Sequence, residues 1–399
     1  MQERIRLKDI QEAEKVLSDI ISPTPVKLSS TFSRMTENSV YLKAENLQKT
    51  GSFKVRGAFN KIQSLSEAEK ERGIVAASAG NHAQGVALAS DLLGIKAMVV
   101  MPENAPLSKI AAAEGYGARV ILSGKNYSQA ELFAVDLAAG EKMTFIHPFN
   151  DIMTIAGQGT IGLEILREVP EAEVVLVPVG GGGLISGVAL AVKKIKPEIQ
   201  VVGVQTSSCS VLCESFQKGR LLSRKRNSTM ADGIAVETPG NIPFELIQRF
   251  VDNIITVEEE DIAFTILLLM ERARLIVEGA GAVGLTALIT GKVNVKRKNV
   301  VVLLSGGNID VTLLARIIER GLARSGRLIK FSAVIPDAPG ALKGLLEEIS
   351  VQGANVLDIR HNRLDTEVPV EYARVELMLE TRDKEHSREM IKALRKKGF

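Results

Sequence analysis

Cysteine is scarce in this chain: two residues in 399, Cys209 and Cys213, with no histidine or further cysteine beside them. A metal site needs more ligands than that, so none is expected, and the pair points instead to a reduced, cytoplasmic compartment. A strong charge of one sign is also missing. Fifty Lys and Arg against 47 Asp and Glu leave a net charge of +3, too little to argue for nucleic acid. The basic runs at 224–226 and 296–298 read as solvated loops. Long apolar runs are lacking as well. No uninterrupted stretch reaches the roughly 18 residues of a membrane span. The most apolar segment, residues 174–192, is broken by Pro178 and five glycines. The N-terminus, MQERIRLKDIQEAEKVLSDI, is a charged amphipathic helix over residues 1–22 and not a secretion signal. What remains is an ordinary globular composition, 45% hydrophobic and 24% charged, in a chain long enough for two or three domains.

From residue 40 onward, short apolar strands alternate with helices. Strands are expected at 40–43, 73–78, 97–101, 119–122, 174–179, 201–205 and 300–304. Helices are expected at 81–93, 106–114, 127–141, 155–168, 184–194, 245–250, 258–279, 280–290 and 310–321. This alternation indicates parallel βαβ units, an α/β fold. A further unit begins near Ser325, with strands at 328–335, 355–363 and 372–380 and helices at 338–351 and 384–397. Its order, β-α-β-β-α, is one strand short of a ferredoxin-like fold.

Three glycine-rich loops and one lysine carry the chemical signal. The loop Val179-Gly-Gly-Gly-Gly-Leu184 follows an apolar strand and opens a helix. Successive glycines let N–H groups converge, and the helix start adds positive potential, so the loop suits an anion such as a phosphate. It has neither the dinucleotide spacing nor the Lys-Ser/Thr of a P-loop. The loop Ser78-Ala-Gly-Asn-His82 also joins strand to helix. Its N–H groups and hydroxyl suit a carboxylate and the Asn81 amide a ring hydroxyl, although Ser78 and Asn81 also read as helix caps. In Leu304-Ser-Gly-Gly-Asn308, Ser305 is equally a cap or a ligand contact. Such loops at strand C-terminal ends converge on one crevice in open α/β sheets. Lys54 lies between Phe53 and Val55 where a helix begins. Desolvation and the positive helix end both lower a lysine's pKa there, which makes it a nucleophile; by itself it also reads as a surface lysine.

Taken in order, the KTGSFKVRG motif at 49–57, Ser78 to His82, Gly180 to Leu184 and Ser305 to Gly307 resemble the fold-type II (tryptophan synthase β-like) pyridoxal phosphate enzymes, and within them the threonine ammonia-lyases (threonine dehydratases). The resemblance implies a catalytic domain at 1–324. Its smaller subdomain would span about 41–147 and its larger one 1–40 and 148–324. Residues 325–399 resemble a ferredoxin-like ACT domain, through the Asp-x-Pro-Gly-x-Leu signature at Asp337, Gly340 and Leu342.

The resemblance also implies roles. Lys54 would hold pyridoxal 5'-phosphate as a Schiff base and act as the base at the substrate Cα. Gly180, Gly181, Gly182, Gly183 and Leu184 would bind its phosphate. Phe53 would pack beside the ring, Asn81 would bind its hydroxyl, and Ser305, with Gly306 beside it, would face the pyridine nitrogen. Ser78, Gly80, Asn81 and His82 would take the substrate carboxylate, and Gly233 and Glu278 would line the site. The implied reaction deaminates L-threonine, and L-serine with it, to a 2-oxo acid and ammonia. Ala79 replaces the serine of related serine racemases, which disfavours racemisation. The segment after residue 205 lacks the carboxylates of divalent-metal-using relatives. An amino-acid effector at the ACT unit and a homo-oligomer, dimer or tetramer, are implied too. The alternatives are a serine dehydratase or racemase of the same fold, and a non-catalytic amino-acid sensor.

Overall fold

The computed structural model describes residues 4–225 and 227–399. Residues 1–3 of the expected first helix and Arg226 of the first basic run lie outside them. The chain divides into a first unit ending at Ile309 and a second beginning at Asp310.

The described residues of the first unit form ten strands: β1 (Val26–Leu28), β2 (Ser39–Ala44), β3 (Ile74–Ala77), β4 (Ala97–Met101), β5 (Arg119–Leu122), β6 (Thr144–Phe145), β7 (Val174–Pro178), β8 (Gln200–Thr206), β9 (Asn253–Val257) and β10 (Asn299–Leu304). They form two sheets, one ordered β1-β2-β10-β7-β8-β9 and the other β5-β4-β3-β6. Every pairing is parallel except that of β1 with β2. The central strands are apolar throughout because helices cover both faces. All five residues of β4 and all five of β7 are buried. The register sets Val300 opposite both Val40 and Val174, so β10 is clamped at the middle of the larger sheet.

Three expectations change here. Residues 41–44 fall in β2, which pairs with β10 in the six-stranded sheet and not with the smaller one. That partner is far along the chain, so local reading groups β2 with the lysine motif that follows it. The helix expected over 258–279 is interrupted. It ends at Leu268, passes through a π-turn at Leu269–Ala273 and stops where Arg274 turns left-handed at φ 60°. The break leaves Glu278 at the N-cap of the next helix, Gly279–Ile289. The short strands β1, β6 and β9 were not expected: three-residue β1 and two-residue β6 are too brief for a periodic signal, and β9 alternates little.

The second unit begins at Asp310, fifteen residues ahead of the 325 start expected for it, and opens with the helix Val311–Arg324. It continues with β11 (Leu328–Pro336), the helix Ala341–Val351, β12 (Asn355–Asn362), β13 (Tyr372–Glu380) and the helix Lys384–Lys396. The antiparallel sheet is ordered β11-β13-β12, so one edge of β11 has no partner among the described residues. Its core is its own, built from Ala333, Ile335, Leu345, Ile349, Val375, Leu377, Leu379, Met390 and Leu394. Gly340 caps the helix Ala341–Val351 at φ +93°, where a Cβ would be strained. Leu342 packs on that core, and Asp337 accepts a hydrogen bond from Arg363 Nε at 2.8 Å.

Candidate active site

Strand ends of both sheets of the first unit meet at a cavity of about 810 Å³. The loops after β3, β7 and β10 all open into it, the crevice expected at carboxyl ends of open α/β sheets.

Lys54 reaches this cavity because its loop is tied to the end of β10. The N–H of Phe53 donates to Ser305 O at 3.2 Å, and the N–H of Gly307 donates to Gly51 O at 2.9 Å. Ser52 and Gly306 form an antiparallel bridge between them. Lys54 is the first residue of the helix Lys54–Gln63 and lines the cavity. Its Nζ sits 5.1 Å from the centroid of the Phe53 ring and has no hydrogen bond or ion pair with a described residue. Burial brings its pKa down from 10.5 to about 8, against a partial upward pull from the Glu278 charge. About a tenth is therefore the neutral amine at pH 7, far more than for an ordinary lysine.

The other side of the same helix is a closed ionic cluster. Arg56, fully buried, donates from Nε and Nη2 to Glu45 at 2.8 and 2.7 Å, from Nη1 and Nη2 to Glu164 at 2.5 and 3.0 Å, and from Nη1 to Thr160 at 3.1 Å. Lys43 Nζ joins Glu164 at 2.6 Å. Burial works against the Arg56 charge, but the two carboxylates outweigh it and hold its pKa above the ordinary value. Arginine's five donors suit such a site.

The glycine loop presents unused donors. Among the described residues, no acceptor meets the N–H groups of Gly180, Gly181, Gly182, Gly183 or Leu184, which precede or begin the helix Gly183–Ile195. All five residues line the cavity. Two of the glycines are required by geometry. Gly182 has φ +98°, and a Cβ on Gly181 would lie 2.4 Å from the Phe149 ring. Buried N–H groups without partners are rare, so an anion is the natural acceptor.

In the loop after β3, Ser78 Oγ accepts from the Gly80 N–H at 3.1 Å. The N–H groups of Asn81 and His82 have no acceptor among the described residues. The His82 ring, though, hydrogen-bonds the Ile146 carbonyl through Nε2 at 2.9 Å. Burial and the Lys54 charge hold it down to about 3, so this ring is neutral and structural, and the residue offers the cavity its backbone N–H. Asn81 Nδ2 donates to Glu278 Oε1 at 2.8 Å. Glu278 is pushed up to about 7 by burial and by Asp232. Gly233 and Gly306 flank it: a Cβ on either would come within 3.2 or 2.6 Å of Glu278 Oε1. Ser305 is buried on the cavity wall, and its hydroxyl has no hydrogen-bond partner among the described residues.

The structure thus gathers Phe53, Lys54, Ser78, Gly80, Asn81, His82, the glycine loop, Gly233, Glu278 and Ser305 around one cavity. Gly306 adjoins it through Glu278. Sequence reading missed several neighbours. His147 lines the cavity, and its Nδ1 accepts N–H groups of Phe149 and Asn150 at 3.2 and 2.9 Å. Burial lowers it to about 4, so it is neutral. The polar interval from 148 to 151, between two helical patterns, was the available signal. Lys109 and Asp232 pair at 2.8 Å on the cavity wall, a long-range contact with no local signature. Asn308, one residue past the third glycine-rich loop's Gly307, bonds Asn81.

Residues 17–306 match the family described as pyridoxal-phosphate dependent enzyme. The L-threonine ammonia-lyase of Thermotoga maritima is 51% identical over 395 residues, covering 99% of this chain and 98% of that one. The processed form of threonine deaminase isoform 2 from Solanum lycopersicum is 36% identical with a TM-score of 0.75, covering 78% of this chain and 91% of that chain. Maize serine racemase is 33% identical with a TM-score of 0.76, covering 80% of this chain and 98% of that chain. The chain belongs to the family of pyridoxal-phosphate-dependent enzymes.

Proposed function

We propose that this protein is a threonine ammonia-lyase, converting L-threonine to 2-oxobutanoate and ammonia and L-serine to pyruvate and ammonia. The carrying observation is a partly neutral lysine in the same cavity as a cradle of five unpartnered N–H groups. These residues fit pyridoxal phosphate: Lys54 for its aldehyde, Gly180 to Leu184 for its phosphate, the free Ser305 hydroxyl for its pyridine nitrogen and Asn81 for its ring hydroxyl. Phe53 would pack beside the ring. When bound, the cofactor supplies the electron-withdrawing ring that accepts the electron pair of the substrate Cα–H bond.

The chain's own residues supply the rest. The N–H groups of Asn81 and His82, with Ser78 and Gly80, would hold the substrate carboxylate. Lys54 Nζ, as the free amine, removes the Cα proton, and its lowered pKa suits a base working near neutral pH. A serine hydroxyl beside the ring nitrogen does not enforce a protonated ring as a carboxylate would, which favours prompt loss of the β-hydroxyl as water over transamination. The enamine left behind tautomerises and takes up that water on hydrolysis, so the net loss is ammonia. Ala79 has no proton to give from the opposite face, which argues against racemisation.

The second unit is proposed to be an ACT-like regulatory domain binding an amino-acid effector in a homo-oligomer, supported by its Asp337, Gly340 and Leu342 signature and β-α-β-β-α order. Effector binding there would act on the catalytic unit by shifting a population between states. No helix among the described residues is long and apolar enough to cross a membrane, and both cysteines are unpaired, in keeping with a reduced cytoplasmic setting. The test is 2-oxo acid formation by the cofactor-loaded protein from L-threonine and L-serine, with and without isoleucine, alongside a chirality assay on serine. Absence of 2-oxobutanoate from L-threonine overturns the lyase reading, and D-serine as the main product favours the racemase.

A further inference from the structure

Hydrogen-bond polarity at the cavity is decided outside it. Asn308 does not line the cavity, but its Nδ2 donates to Thr50 O at 2.7 Å and to Asn81 Oδ1 at 2.7 Å, with a longer contact to Gln84 Oε1 at 3.5 Å. A backbone carbonyl can only accept, so the atom of Asn308 facing Thr50 has to be the amide nitrogen. Two N–H donors do not face each other at 2.7 Å, so the atom of Asn81 facing that nitrogen is its oxygen, the nearer acceptor beside Gln84 Oε1. Asn81 Nδ2 is thereby turned the opposite way, where it donates to Glu278 Oε1 at 2.8 Å. Both amide orientations, ordinarily a matter of inference, follow here from one carbonyl. The second N–H of Asn81 Nδ2 has no partner among the described residues, and Asn81 lines the cavity.

The lysine motif is shaped to admit this chain of bonds. A Cβ on Gly51 would lie 2.4 Å from Asn308 Oδ1, and Gly51 has φ +70°. Glycine at this position of the motif therefore makes room for Asn308, besides forming the turn ahead of Lys54. The relay from Thr50 through Asn308 and Asn81 to Glu278 ties the lysine loop, the loop after β3 and the N-cap of the helix Gly279–Ile289 into one oriented set.

We infer that Asn308 is a positioning residue that holds the Asn81 amide so that it offers N–H, and never its carbonyl, to Glu278 and to the ring hydroxyl of the bound cofactor. An N–H directed at that oxygen favours its ionised form, whereas a carbonyl would favour the neutral hydroxyl. The proton distribution of the resting cofactor is thus set by a residue that does not touch it. The inference rests on the cofactor-site reading given above.

The test compares wild type, Asn308→Asp and Asn308→Ala, each loaded with pyridoxal phosphate and free of substrate, at one fixed pH. The carboxylate introduced by Asn308→Asp would accept where Asn308 donates, so Asn81 turns over. The ratio of the long- to the short-wavelength absorption bands of the bound cofactor is expected to fall roughly 2- to 10-fold, the worth of one hydrogen bond. Asn308→Ala frees Asn81 to take both orientations, and its ratio is expected between those of wild type and Asn308→Asp. Melting of cofactor-free and loaded forms separates positioning from support: a structural residue lowers both melting temperatures equally, whereas loss of positioning also narrows the gap between them. Band ratios matching wild type in Asn308→Ala, or in both variants, overturn the inference, and Asn308→Ala decides if Asn308→Asp fails to fold. A wild-type protein that takes up no pyridoxal phosphate overturns the cofactor-site reading together with this inference, whereas normal uptake with unchanged ratios overturns the inference alone.

Discussion

Lys54 and Arg56 are two cations on the first turn of one helix, and they meet opposite fates. Lys54 faces the cavity with no hydrogen-bonding partner and is drawn down to about 8. Arg56 turns the other way into Glu45 and Glu164, which hold its charge firmly in place. The helix N-terminus disfavours both charges alike. Burial disfavours both as well, so the difference comes from partners alone. One cation is left reactive, and the other anchors the helix that presents it.

The comparison breaks most visibly at Lys54. Lys54→Ala is expected to cut 2-oxo acid formation by on the order of 10³-fold or more, the scale of losing a positioned proton-transfer group. Because no ion pair is lost, the cofactor-free protein should melt no lower than wild type; a large drop in melting temperature would mean that Lys54 is structural. Arg56→Met should do the reverse. It leaves Glu45 buried without its cation and Glu164 with Lys43 alone, at a cost of about 3–5 kcal/mol. Urea denaturation of the cofactor-free protein measures this, and a loss under about 1 kcal/mol, the worth of a surface pair, would remove Arg56 from its anchoring role.

Two smaller effects sharpen the contrast. Only the neutral amine attacks an aldehyde, so cofactor uptake by the cofactor-free protein should speed up with rising pH and level off above about 8. An ordinary lysine would keep gaining up to about 10.5. Stopped-flow absorbance across that range tells the two apart. Glu278 is mostly ionised near pH 8, since its own pKa is about 7, and its charge is what raises that of Lys54. Glu278→Gln should therefore move the inflection to lower pH. An inflection that stays or rises would mean that Glu278 does not act on Lys54 through its charge.

Much of the site was legible because its signals are local. A glycine at φ +98° and a run of four glycines before a helix are needs of the backbone itself, and they are visible in sequence. Apolar runs such as β7 and β4 announce buried parallel strands for the same reason. The interrupted helix near Arg274 was hidden, because its apolar pattern continues through the break while the left-handed residue stops the helix. Lys109 with Asp232, and Asn308, were hidden too, each acting through a partner distant in sequence; His147 bonds locally to Phe149 and Asn150, but only the fold brings it to the cavity.

The sequence by itself determined the order in which the chain delivers residues that meet at the cavity: Lys54, Asn81, the glycine loop and Ser305. It also determined an α/β first unit and a β-α-β-β-α arrangement in the second. Only the tertiary structure decided that Lys54 stands unpaired while Arg56 is locked, that β2 belongs to the larger sheet, and which way the Asn81 amide points. Backbone preference and hydrophobic period act over a few residues and leave their mark in sequence. Charge pairing and hydrogen-bond polarity act over a few ångströms of space, and here those ångströms join residues more than two hundred positions apart, such as Asn81 and Asn308.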